Sequence, residues 1–400
     1  MTGSVLFYVQ HLLGIGHLQR ALSLVDAIAR EDITVTLVLG GEPPPWSISV
    51  RAERIVQLAP VRARDASFKE LVGPGGQPID QNLQQARREA LLAAFDAAQP
   101  DAVVIEAFPF GRRAFRFELE PLLEAARARR PRPRILCSVR DIVIVPDDAM
   151  RHREIVDRVQ ADFDFVLVHG DPGFIPLDES FPSASKIADR IIYTGYISAP
   201  DQTDTKDEFA GANEVLVSVG GGAVGSPLLT TALEARRRGC LADLTWRLLT
   251  GPNLPARTFE MLAGRLPEGV VLERFRREFP LMLRRCRVSV SQAGYNTILD
   301  ILAARAAAVV VPFAAEREIE QQFRAERLAA CGVVELLDET DLTPDRLTRA
   351  IERAIERGPG TTPVRTGGAR RAAGLIAEMI RDPRVVPNTG GILYHGFLAL

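Results

Sequence analysis

Short apolar runs alternate with amphipathic stretches along most of the chain, the pattern of βα units that feed a parallel sheet. In the first half the runs predict strands at Val5–Val9, Ile33–Leu39, Ile55–Leu58, Ala102–Ile105, Arg134–Ser138, Phe165–Val168 and Ile191–Thr194. A helix is predicted after the first of them, because Leu18, Ala21, Leu22, Val25, Ile28 and Ala29 recur at a 3.6-residue period. Residues 198–214, SAPDQTDTKDEFAGANE, are polar and aperiodic and read as a linker. The alternation then restarts, with strands predicted at Val215–Val219, Thr245–Leu249, Val270–Glu273, Arg287–Val290, Ala308–Val311 and Val333–Leu336. The expected fold class is α/β: two doubly wound, Rossmann-like parallel-sheet domains, residues 1–197 and 215–365, facing a cleft. In the remainder, 366–400, a last amphipathic stretch over about 366–381 can cross back onto the first domain.

Composition narrows the class. Four hundred residues suit two domains, and 46% hydrophobic with 25% charged residues is the balance of a folded chain. Forty-nine basic and 51 acidic side chains leave a net charge of −2, so nothing global points to nucleic acid. Cys137, Cys240, Cys286 and Cys331 form no C-x-x-C pair and read as reduced core thiols. Neither a signal peptide nor a run of 18 uncharged apolar residues is found, so a cytoplasmic protein is expected.

Doubly wound sheets bind ligands beyond the carboxyl ends of their strands, so the strand-to-helix turns hold the candidate chemistry. GGGAVG, 220–225, has the form G-x-G-x-x-G, but the next strand ends in Thr250 and Gly251, without the acidic residue a dinucleotide's ribose needs. GIGHLQ, starting at Gly14, lacks the third glycine, and no G-K-[ST] follows either turn, which excludes a P-loop. What is left is close backbone approach to a diphosphate at a helix N-terminus, or a tight turn alone. A third turn bears on this choice. In VSVSQAGYNTILDI, 288–301, Gln292, Asn296 and Thr297 surround Gly294, where Asn296 and Thr297 either cap the helix or extend its N–H groups toward a phosphate. Asp300 lies three and four residues beyond them on the same face, placed to accept ribose hydroxyls. After the next strand, Glu320 and Gln321 begin another helix, an acid beside an amide that suits a sugar.

Strand, QAGYNTILD, strand, VPF, then EQ resembles the donor-binding region of GT-B glycosyltransferases of the MurG-like/UDP-glycosyltransferase superfamily. The resemblance implies phosphate contacts at Gln292, Asn296 and Thr297, a ribose-binding acid at Asp300, and a donor-sugar pair in Glu320 and Gln321. It also implies a diphosphate loop at Ser218, Gly220, Gly221 and Gly222, with the base cradled near Phe275. Gln292 stands where many relatives have His, and Asp300 where Glu is usual. The first turn, with Gly14, Gly16 and His17, is similar to the family's Gly-x-Gly-His.

His17 opens a helix, a position that disfavours the imidazolium and suits a neutral base. Glu106 follows a strand at the same sheet edge, where it either orients His17 or is an exposed loop carboxylate. Arg140 with Asp141, and His169 with Asp171, also follow strands and are candidate acceptor contacts. In AFPFGRRAFRFELE, 107–120, Phe108, Phe110, Phe115 and Phe117 mix with Arg112, Arg113 and Arg116; the segment either lines an acceptor groove or meets a lipid headgroup, or is a half-buried helix. Asp162 and Asp164 mimic a metal-binding D-x-D but precede a strand, so no metal site is expected. The resemblance thus implies a metal-independent, inverting transferase without a cofactor. Its donor is a nucleotide sugar, UDP-linked, and its acceptor a hydroxyl on a small molecule, glycan or lipid-linked carrier, with peripheral membrane contact possible in the last case. Gly-x-Gly-His-x-x-Arg, ending at Arg20, also resembles the nucleotide-sugar hydrolases of pseudaminic acid synthesis, and a non-catalytic nucleotide-sugar sensor is the third alternative.

Overall fold

The computed structural model describes residues 3–12, 16–44, 48–64, 70–145, 148–197, 211–221, 225–313, 319–360, 364–382 and 384. Gly14, Gly222 and most of the expected linker, 198–210, lie outside them. The chain divides into two compact units, Met1–Ser198 with Val364–Leu400, and Ala199–Pro363.

Unit 1 is built on β1 (Ser4–Val9), α1 (Gly16–Ala29), β2 (Thr34–Leu39) and β3 (Arg54–Gln57), followed by a two-stranded hairpin, β4 (Arg62–Ala63) with β5 (Leu71–Val72). Then come α2 (Gln81–Ala98), β6 (Ala102–Glu106), α3 (Arg116–Ala128), β7 (Arg134–Arg140), α4 (Ala149–Asp162), β8 (Phe165–His169) and β9 (Ile191–Tyr193). Seven strands form a parallel sheet in the order β3-β2-β1-β6-β7-β8-β9. Val5, Phe7 and Val9 enter one apolar core and Leu6 and Tyr8 the other, so β1 is buried on both faces. A central parallel strand therefore reads as a continuous apolar run and not as an alternation.

Unit 2 repeats the plan with β10 (Val215–Ser218), α5 (Ser226–Arg237), β11 (Trp246–Leu249), α6 (Ala256–Ala263), β12 (Val270–Glu273), α7 (Phe279–Leu283) and β13 (Val288–Gln292). It continues through α8 (Tyr295–Ala304), β14 (Ala308–Val311), α9 (Ile319–Ala330), β15 (Glu335–Leu336) and α10 (Pro344–Arg357). Its six parallel strands run β12-β11-β10-β13-β14-β15. Cys137 and Cys240 are buried free thiols, Cys286 is half-buried and Cys331 is exposed, which corrects the expectation of four core thiols. Cys331 follows the last turn of α9, whose apolar face ends before it.

The last helix, α11 (Gly368–Arg381), returns to unit 1 and lies along α1. Its Ala372, Ala373, Ile376, Ala377 and Met379 complete the core over the α1 face of the sheet. Backbone bonds tether its approach: Tyr196 N–H donates to Arg365 O at 2.8 Å and Gly368 N–H to Tyr196 O at 2.9 Å. A side chain at residue 368 would collide with the Gly195 carbonyl, so only glycine permits this contact. Ile376 is fully buried, and Ile376→Ala should destabilise unit 1 by about 2–5 kcal/mol. Hydrogen exchange is the check: β1 and β2 amides should exchange faster while those of β10 and β13 keep their rates. Unchanged exchange in β1 would remove α11 from this core.

Candidate functional site

In unit 1 the chain leaves β1 toward β2 on one side and returns as β6 on the other, so the space beyond the carboxyl ends of β1 and β6 is a topological switch point. His17, the second residue of α1, and Glu106, the last residue of β6, meet there: His17 Nδ1 lies 2.6 Å from Glu106 Oε1. Glu106 is buried, 1% exposed, and is not the loop carboxylate that was its alternative. Burial alone would raise its carboxyl, but His17 and Arg20 outweigh burial and hold it below the usual carboxylate range. Burial lowers the His17 imidazole to about 4, against the opposing pull of Glu106. The ring is thus neutral near pH 7 chiefly because it is desolvated.

An ionised carboxylate oxygen 2.6 Å from a ring nitrogen requires a proton between them, which belongs to the imidazole because Glu106 is the stronger acid. Nδ1–H donates to Glu106, and Nε2 keeps its lone pair. Among the described residues Nε2 has no hydrogen-bond partner, and the His17 side chain is 24% exposed. This is the geometry of a base held by a carboxylate.

The candidate acceptor contacts fare differently. His169 is buried with both nitrogens occupied, Nε2 with Ser138 Oγ at 2.9 Å and Nδ1 with Thr194 Oγ1 at 2.8 Å, and burial lowers it to about 3. Asp141 is buried and accepts from Tyr196 O–H at 2.9 Å. Asp171 accepts from Gly173 N–H and Arg365 N–H, both at 2.9 Å, and so ties down the segment before α11. These three hold the unit together and present no free group to an acceptor. Arg112, half-buried, donates through Nε to Gln10 O at 2.6 Å, and Arg140 ends β7 half-buried. Phe108, Phe110 and Phe115 are core residues, and Phe117 is half-buried against the same core. Asp162 lies 2.7 Å from Arg127 Nη1, and Asp164 accepts from Arg132 and from Ile135 N–H, so the D-x-D carboxylates brace helices and strands.

Unit 2 has the same switch point between β10 and β13, whose Ser218 and Ser291 are register partners. Ser218 is buried and its Oγ accepts from Gly220 N–H at 3.4 Å, and Gly220 takes the left-handed φ of +59°. At the end of the loop Gly225, φ +108°, caps α5, and a side chain there would strike Val219 and approach Gln292. Gln292 ends β13 buried, and α8 starts after Gly294 without any side-chain cap. Its first helical bond is Ile298 N–H to Gly294 O, so the N–H groups of Tyr295, Asn296 and Thr297 have no helical carbonyl to reach. Neither Asn296 nor Thr297 is the cap. Phe275 follows β12 and is 56% exposed. Gln321 accepts from Phe313 N–H at 3.3 Å, and buried Glu320 pairs with Arg324 at 2.9 Å.

Arg324 was not foreseen. It is 1% exposed and its guanidinium lies over the Tyr295 ring, 5.1 Å from the centroid, which joins the starts of α8 and α9. The E-x-x-x-R spacing from Glu320 is its signal in the sequence. Arg20 likewise has a readable signal, an arginine on the apolar face of α1 between Leu18 and Ala21.

Asp300 stands apart from the other acids. It lies on α8 with no hydrogen-bond partner among the described residues, and burial raises it to about 7. Because the folded value of about 7 lies above the ordinary 3.8 of the unfolded chain, stability is full below the lower value and is lost as pH rises through the window between them. Asp300→Asn should therefore raise the melting temperature at pH 8 and change it little at pH 3, where Asp300 is protonated in both the folded and the unfolded chain. Melting curves at the two pH values test this; a pH-independent difference would deny that Asp300 is ionised without compensation.

Residues 216–365 match the glycosyltransferase family 28 C-terminal domain. Over 170 residues the chain is 26% identical to the UDP-N-acetylglucosamine--N-acetylmuramyl-(pentapeptide) pyrophosphoryl-undecaprenol N-acetylglucosamine transferase of Exiguobacterium sibiricum, 42% of this chain and 46% of that one. The enzyme of the same name from Geobacillus kaustophilus is 29% identical over 188 residues, 44% of this chain and 51% of that one. The chain thus matches about half the length of these curated relatives. Among solved structures, the calicheamicin glycosyltransferase CalG4 aligns with 96% of this chain and 94% of its own at a TM-score of 0.57 and 19% identity. Acinetobacter baumannii MurG aligns with 94% of this chain and 100% of its own at a TM-score of 0.57 and 15% identity. Residues 216–365 thus match a glycosyltransferase family 28 C-terminal domain, and the two parallel-sheet units share the GT-B fold of these solved structures.

Proposed function

We propose that the protein is an inverting glycosyltransferase that moves a sugar from a UDP-linked donor to an acceptor hydroxyl. The observation that carries this reading is the His17–Glu106 pair, with Nδ1–H donated to a buried carboxylate and Nε2 left to take a proton. The acceptor O–H gives its proton to His17 Nε2 as its oxygen attacks the anomeric carbon. The bond from that carbon to the diphosphate breaks, and UDP leaves with the electron pair. Attack opposite the leaving group inverts the anomeric centre.

Unit 2 supplies the donor site in this reading. The starts of α5 and α8 bring a partial positive charge to the diphosphate. Asp300 accepts the ribose hydroxyls, whose two donors would compensate its ionised form, and exposed Phe275 lies against the base. Glu320 and Gln321, braced by Arg324 and the Phe313 backbone, read the sugar. The relatives' name specifies a UDP-N-acetylglucosamine donor, which supports UDP as the carrier.

His17→Ala should lower kcat by about 10²–10⁴, or roughly 3–5 kcal/mol of barrier, with UDP affinity unchanged. Retention of more than a tenth of wild-type turnover would overturn the base assignment. Because burial lowers the free imidazole to about 4, the acid limb of kcat/KM should lie near that value, below the ordinary histidine range, and vanish from the residual activity of His17→Ala. UDP release that is independent of added acceptors would favour hydrolysis over transfer.

With helix N-termini assigned to the diphosphate, transfer should persist in excess EDTA. Restoration of a chelator-inactivated enzyme by Mg²⁺ or Mn²⁺ would count against that assignment.

A further inference from the structure

We propose that Arg20 is the positioning residue of the His17–Glu106 pair: its buried guanidinium holds the carboxylate in register with the ring and takes up part of its charge, which adds to burial in keeping His17 a neutral acceptor. The inference rests on the reading of His17 as the base, and extends it to a third residue.

Three observations carry it. Arg20 lies one turn beyond His17 on α1, so the two side chains project from the same helix face toward Glu106 at the end of β6. Arg20 Nη2 bonds Glu106 Oε1, the same oxygen that His17 uses, and lies 3.2 Å from His17 Nδ1. The other carboxylate oxygen, Oε2, is buried and has no hydrogen-bond partner among the described residues. A carboxylate gripped by one oxygen alone is free to swing about that contact, and a second donor from the rigid turn of α1 fixes where the oxygen points.

Charge makes the guanidinium more than a brace. A lone carboxylate beside a histidine stabilises the imidazolium, which would fill Nε2 with a proton before any acceptor arrived. The charges around the ring are Arg20 from its own helix, Glu106 from β6, Arg112 from the loop that follows, and Arg140 from β7. Buried His169 of β8 senses the same Arg20 and Glu106. Arg20 is the cation in contact with Oε1, so it cancels the carboxylate's pull at the point where it acts on the ring.

The test is the titration of His17 itself, followed by imidazole ¹H–¹⁵N spectra of ¹⁵N-histidine-labelled protein, with the resonance assigned by its loss in His17→Gln. In the wild type the midpoint should lie below the ordinary histidine range, with the neutral ring as the Nδ1–H tautomer. In Arg20→Gln the midpoint should rise by about 1–3 units, the scale of removing an adjacent charge. The acid limb of kcat/KM should rise with it. Arg20→Lys keeps the charge and should stay within about half a unit of wild type, while the lost Nη2 contact to Glu106 Oε1 lowers kcat. An unmoved midpoint in Arg20→Gln reduces Arg20 to packing and overturns the proposal. If Arg20→Gln does not fold, a rise of a full unit or more in Arg20→Lys overturns it instead. A midpoint that moves in a protein without transfer activity would sink the transfer reading alone, and a transferase whose midpoint does not move would sink only the role of Arg20.

Discussion

A parallel sheet has to be covered on both faces, because each strand must cross back through a helix before it can lie beside its neighbour. That constraint organises both units. The crossovers bring every strand of a sheet out at the same edge, and the order reverses between β1 and β6 and between β10 and β13, the places where such sheets bind ligands. His17, Arg20 and Glu106 collect at one such place, and Ser218, Gly220, Gln292 and the start of α8 at the other. Chemistry follows from topology here: residues 89 positions apart in sequence share a hydrogen bond because their strands are adjacent.

The alternation of apolar runs with 3.6-period stretches made the fold legible. The predicted strands differ from the observed ones by a residue or two at their ends, since central strands such as Val5–Val9 are apolar throughout and carry one pattern. The hairpin of Arg62–Ala63 with Leu71–Val72 was not legible, because two-residue strands have no periodicity to detect. Motif spacing picked out the strand-to-helix turns, and only its place after a strand at the same sheet edge suggested Glu106 as a partner of His17, since no motif marked it. What spacing could not tell was which polar groups at the sheet edge point inward. Asp141, His169 and Asp171 follow strands as Glu106 does, yet each is consumed by internal partners: Tyr196, Ser138 with Thr194, and the Arg365 backbone.

The arginines were the hardest to read. In a chain whose basic residues are nearly all arginine, Arg324 looks like a member of a solvated majority, and Arg20 is marked only as the end of Gly-x-Gly-His-x-x-Arg. Both are buried and both hold an acid: Arg20 binds Glu106 at the end of β6, and Arg324 binds Glu320 at the start of α9 while covering the Tyr295 ring. A guanidinium suits this task because its charge is permanent and its fork fits a carboxylate. Its burial is tolerated only while that carboxylate remains, so the arginine and acid at each place have to be read as one unit.

Two carboxylates near the switch points show how environment assigns opposite tasks to the same group. Glu106 is almost fully buried, yet His17 and Arg20 keep it ionised, and an ionised Glu106 is what places the shared proton on Nδ1 and leaves Nε2 basic. Asp300 is desolvated without such company, and its carboxyl is accordingly raised to about 7. A group in that condition gains most from a partner that brings hydrogen-bond donors, because each donor stabilises the charge that burial penalises. Within the proposed function a ribose diol is that partner, so the strain on Asp300 in the free protein becomes affinity for the nucleotide. The same carboxylate would then lower the stability of the empty protein as pH rises from about 4 to about 7, and a bound diol that lowers its pKa would offset that loss, a response that a residue placed only for packing has no means to produce.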